Sequence, residues 1–94
     1  MVFSVLILEI KLSGCHSLKQ KRSLVKPLVS RLHKEFNVTV SEIDKNDLWD
    51  ESVIACGLIS NDKANADAQL NSVLRFVERY WRDVEIINYS IKYM

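Results

Sequence analysis

The chain has 94 residues, of which 48% are hydrophobic and 27% charged, with a formal net charge of +1. That is one domain, residues 1–94, with apolar content sufficient for a single core. Two glycines and one proline exclude a linker-rich or disordered chain, and no apolar run approaches the ~20 residues of a membrane-spanning helix.

Val2–Leu12 is dense in Val, Ile and Leu and predicts a strand. Glu9 and Lys11 bound the apolar run, and no basic segment precedes it, so a strand is expected rather than a secretory leader. Val2, Leu6, Leu8, Ile10 and Leu12 fall on one face. Phe3, Val5, Ile7, Glu9 and Lys11 fall on the other. A strand apolar on both faces is central, or one of its faces meets a partner. Phe3, Val5 and Ile7 are therefore candidate interface residues.

Gly14 ends the strand pattern, and Ser17 is a candidate helix N-cap. Leu18, Val25, Leu28, Val29, Leu32 and Phe36 then follow helical spacing. From His16 to Lys34 there are six Lys/Arg and no Asp or Glu, so this element carries about +6 in a nearly neutral chain. Lys19, Arg22, Lys26 and His33 form a stripe opposite the apolar arc. Such a stripe either solvates the helix or meets an anion. His16, Lys19, Lys21, Arg22 and Lys26 are the candidate nucleic-acid-binding residues, through sequence-tolerant phosphate contacts. Pro27 interrupts the donors of this helix at a cost of ~3 kcal/mol. A kink near Ser23–Pro27 is expected, because the apolar arc continues in phase. The alternative is a new helix with Pro27 in its first turn.

Asn37–Asp44 predicts a second strand, with Val38 and Val40 inward and Thr39, Ser41 and Ile43 outward. Lys45-Asn46-Asp47-Leu48-Trp49 is a turn-rich connection. Glu42, Asp44, Asp47, Asp50 and Glu51 surround it and, with Lys45, give a segment of charge −4 (five acids, one base). A solvated hairpin tip explains this composition more simply than a cation site; the same tip could also meet the basic helix of another copy. Trp49 in a polar loop is expected to pack beneath it or to contact a second copy.

Glu51–Ser60 is a third, almost continuously apolar strand and should be central. Gly57 within it marks a bulge or a close approach. Ser60-Asn61-Asp62 caps a second helix, with Ala66, Leu70, Val73, Val77 and Trp81 inward. Val84–Met94 is the last strand, expected to place Ile87, Tyr89, Ile91 and Tyr93 on one face and Ile86, Asn88, Ser90 and Lys92 on the other.

This order is the β-α-β-β-α-β pattern of an α+β, ferredoxin-like fold. A four-stranded antiparallel sheet would carry two helices on one face, with the first and third strands central. The other face would be bare, and apolar area of that kind marks an interface.

Enzyme chemistry is thinly supported. Cys15-His16 is one adjacent nucleophile-and-base pair without a third orienting group. No glycine-rich phosphate loop is present. Metal transport by the first strand–helix loop would need two Cys, and this loop has only Cys15. Neither a metal site nor a cofactor is expected. RNA-binding sheets of this topology stack bases on aromatics of the first and third strands. The third strand here has none, so RNA would be met by the first helix instead. With two Cys and no leader, free thiols in the cytoplasm are expected.

His16-Ser17-Leu18-Lys19-x-Lys21-Arg22, Asn37-Val38-Thr39-Val40-Ser41-Glu42, Asp47-Leu48-Trp49 and Ser60-Asn61-Asp62, in that order, resemble the YlxP-like family, a bacterial family of unknown function. The resemblance covers nearly the whole chain. It implies the ferredoxin-like fold and the company of translation and ribosome-maturation genes, and it carries over no catalytic residue. The expected function is a small cytoplasmic protein associated with ribosomal RNA or the ribosome. The alternative is a homodimeric interaction or small-molecule regulatory module that pairs through its sheet face or edge strand.

Overall fold

In the computed structural model, which describes residues 1–94, four strands form one sheet in which the second strand pairs with the third, the third with the first and the first with the fourth. The elements are β1 (Val2–Leu12), α1 (Leu18–Glu35), β2 (Thr39–Asp44), β3 (Glu51–Ser60), α2 (Lys63–Tyr80) and β4 (Val84–Tyr93). Every strand pair is antiparallel. The α+β ferredoxin-like arrangement read from the residue pattern is the observed one, with the two most apolar strands at the centre.

The core lies between the sheet and the helices. Leu6, Leu8, Ile10 and Leu12 of β1 and Ile54, Cys56 and Leu58 of β3 form its floor. Val25, Leu28 and Leu32 of α1 and Ala66, Leu70, Val73, Leu74 and Val77 of α2 form its roof. Each large aliphatic side chain so buried contributes roughly 1.5–3 kcal/mol against chain entropy. Phe36 and Phe76 meet edge to face, with ring centroids 5.5 Å apart, and tie the end of α1 to α2. Both cysteines are free and buried. Burial pushes the Cys56 thiol up to about 12, so it is a neutral apolar filler. No helix is long and apolar enough to cross a membrane.

The helix ends follow their sequence signals. Ser17 Oγ accepts from the Gln20 amide at 3.1 Å, and Gln20 Oε1 accepts from the His16 amide at 2.6 Å. This is a capping box displaced by one residue. Asp62 Oδ1 accepts from the Ala64 amide at the start of α2. α1 runs uninterrupted through Pro27, so no second helix starts there. Gly57 is a close approach and not a bulge. The β1–β3 register is unbroken across it, and a Cβ there would sit 3.3 Å from the Thr39 methyl group.

The last strand differs from the expected alternation. Glu9 pairs with Asn88 but Ile10 pairs with Ile86, leaving Ile87 as an extra residue. Ile86 therefore packs against the core with Val84 and Ile91, while Ile87 and Tyr89 are exposed. A matching irregularity in β2 lies between Glu42 and Asp44 and leaves Ile43 unpaired. Both bulges lie on edge strands, where such features bend the edge and interrupt a template for further pairing.

Candidate functional site

The inner stripe of α1 is Leu18, Lys21, Val25, Leu28 and Leu32, spaced three or four residues apart. Lys21 thus occupies a core position, and its side chain is only 3% exposed. Its ammonium satisfies all three of its donors. Nζ lies 2.9 Å from Glu42 Oε2 and donates to the carbonyls of Lys45 and Leu48 at 2.6 Å each. Ser52 Oγ donates to the same Glu42 carboxylate. A charge can be buried in this way because it is both paired and fully hydrogen-bonded.

This is a correction to the sequence reading. Lys21 is no phosphate ligand. It is a strut that holds the β2–β3 turn against α1. The turn itself is tight: Lys45 adopts a positive φ of 58°, and the Leu48 amide donates to the Lys45 carbonyl. Lys45 Nζ also reaches Glu51 at 3.1 Å. The acidic tip and the basic helix meet within one chain, through Lys21 and Glu42. No three of the His, Cys, Asp and Glu side chains converge as metal ligands would.

The other basic residues point away from the core. Lys19, Arg22 and Lys26 are exposed, and none of them is in an ion pair. Arg31, further along, is held by Glu35 at 3.0 Å. Between α1 and the β2–β3 hairpin lies a cleft of about 570 Å³. Arg22 and Lys26 line one wall, and Asn46 and Asp47 line the other. Leu18, Val25 and Val29 supply the apolar surface between them.

His16 is exposed at the start of this face, with its ring centroid 5.9 Å from that of Trp49. Trp49 is 43% exposed, so it neither lies buried beneath its loop nor joins the other interface candidates. Those lie on the open sheet face: Phe3, Val5 and Ile7 are half-buried there, away from the helices. Cys15 belongs to the buried core while its neighbour His16 faces Trp49, so the two do not form a nucleophile-and-base pair.

The fold therefore sets Lys19, Arg22 and Lys26 along the first half of α1, with His16 and Trp49 paired at its start, and withdraws Lys21. The sequence signal for the withdrawal was present. Lys21 sits in phase with Leu18 and Val25, and Glu42 continues the inward alternation of Val38 and Val40.

Residues 3–91 match the model of the family described as "Protein of unknown function (DUF503)". A curated relative, "Uncharacterized protein YlxP" of Bacillus subtilis (strain 168), is 31% identical over 64 residues, which is 68% of this chain and 70% of the relative. With the match reaching all six elements, the chain belongs to the DUF503 family, the YlxP-like group that its motifs resemble.

Proposed function

We propose that this chain is a non-enzymatic, cytoplasmic RNA-binding protein of the translation or ribosome-maturation machinery, gripping backbone phosphates with the solvent face of α1. The observation that carries the reading is the contrast among its cations. Lys21 is neutralised by Glu42, whereas Lys19, Arg22 and Lys26 have no carboxylate partner. They recur every three to four residues over about two helical turns, some 10 Å of helix axis. A row of unpaired cations on that scale suits successive phosphates and carries no sequence information. The exposed Trp49 ring beside His16 adds a surface on which an unpaired base can stack.

Filter binding to ribosomal RNA at a series of salt concentrations tests this reading. Affinity should fall steeply with salt. In the triple variant Lys19→Ala/Arg22→Ala/Lys26→Ala the slope of log affinity against log salt should be shallower by about 2, the effect of losing three single-strand phosphate contacts. An affinity indifferent to salt, or an unchanged slope in a folded triple variant, would remove the proposal.

A further inference from the structure

The helices cover one face of the sheet, and no helix covers the other. That open face has a definite layout fixed by the pairing of β1 with β3. Phe3 lies beside Ile59, Val5 beside Gly57, Ile7 beside Ala55, Glu9 beside Val53 and Lys11 beside Glu51. The first three rows are apolar, the fourth sets Glu9 beside Val53, and the last holds Lys11 opposite Glu51, which Lys45 of the same chain also reaches. Ile59 is 65% exposed, and Val53 is buried without belonging to the core cluster.

We infer that this face packs against the same face of a second copy, about a two-fold axis running along the strands between β1 and β3. That operation lays β1 of one copy over β3 of the other with the rows in register. Phe3 then meets Ile59 of the second copy, Ile7 meets its Ala55, and Lys11 meets its Glu51. Symmetry repeats each contact, as an isologous interface requires. A positively or negatively charged partner has no comparable match, because the charged row carries both signs. Four strands spaced ~4.8 Å apart and about eight residues long cover roughly 500–600 Å² per copy, so pairing buries about 1,100 Å², which clears the roughly 1,000 Å² of a biological interface and is the size of a weak, reversible one.

Sedimentation equilibrium on the whole chain is the direct test. A dimer is expected at micromolar concentration. Ile7→Glu, at the centre of the face and outside the helix-packed core, should give a monomer that keeps the far-ultraviolet circular dichroism of the parent. Lys11→Glu sets like charges across the interface and should raise the dissociation constant roughly 10- to 100-fold. Combining it with Glu51→Lys restores opposite signs and should recover most of that loss. A monomeric parent, or a dimer untouched by Ile7→Glu, overturns the inference. A dimer weakened by Ile7→Glu but indifferent to Lys11→Glu overturns the proposed register. None of these variants alters Lys19, Arg22 or Lys26, so the outcome is separable from that of the RNA experiment.

Discussion

Removing the Lys21 ammonium would leave the carbonyls of Lys45 and Leu48 without a donor and the Glu42 carboxylate without its cation, held only by Ser52 and Asn46. Breaking a buried ion pair costs about 3–5 kcal/mol. Glu42 is 21% exposed, so water can take up part of the loss. Lys21→Met keeps the aliphatic stem and should still destabilise the fold by about 2–4 kcal/mol in urea titrations, with Lys19→Met within about 0.5 kcal/mol of the parent. Equal, small effects of the two substitutions would show that the strut contributes nothing. A variant that replaces Lys21 and Glu42 together with apolar residues should recover much of the loss, since the penalty comes from the orphaned partner. Both residues are legible in the sequence once phase is weighed above chemistry. Charge type alone puts Lys21 with Lys19 and Arg22. Helical phase puts it with Leu18, Val25 and Leu28. Which of these wins depends on an acceptor cluster contributed by a turn more than twenty residues away, and no local pattern announces that.

α1 crosses Pro27 without breaking because its neighbours are anchored. Val25, Leu28 and Leu32 are buried on one side, and together they outweigh one lost hydrogen bond. Pro27 itself is exposed and removes the donor that would otherwise reach the Ser23 carbonyl. Pro27→Ala should restore that bond and stabilise the chain by about 2–2.5 kcal/mol. This is the ~3 kcal/mol proline penalty less the extra freedom that alanine gives the unfolded chain. The denaturation midpoint should rise with an unchanged slope. A fall would mean that the proline ring's place beside Tyr80 and Trp81 matters more than the bond it forfeits. The bounds of α1 were readable from Ser17 and from the in-phase apolar arc on both sides of Pro27. The facing of β4 was not. Ile86 and Ile87 are identical neighbours, so hydropathy cannot choose between them. The choice is made by the bulge opposite Glu9 and Ile10, which is a property of the β1–β4 pair and not of β4.

At the scale of the whole molecule the exposed cations of α1 and the open sheet face are kept apart. One face of the sheet carries the helices and, beyond them, the exposed cations of α1. The other carries Phe3, Val5, Ile7 and Ile59. That division was readable from β1, whose even and odd positions are both apolar, and from the matching run in β3. What lies against the open side was not readable, because apolar area specifies burial without specifying by what. Pairing of the open faces gives four layers in the order helix, sheet, sheet, helix. The two basic faces then point in opposite directions, roughly 40 Å apart by the thickness of two helices and two sheets. A long RNA can touch both, and a short one can touch only one. The dimer should therefore bind long RNA at least roughly tenfold more tightly than Ile7→Glu does, through effective concentration alone. On an oligonucleotide too short to reach both faces, the two proteins should share one affinity and one salt slope. Equal affinities on long RNA would mean that the two α1 faces do not act together. A loss as large on the short oligonucleotide as on long RNA would place the phosphate contacts on the sheet face and not on Lys19, Arg22 and Lys26.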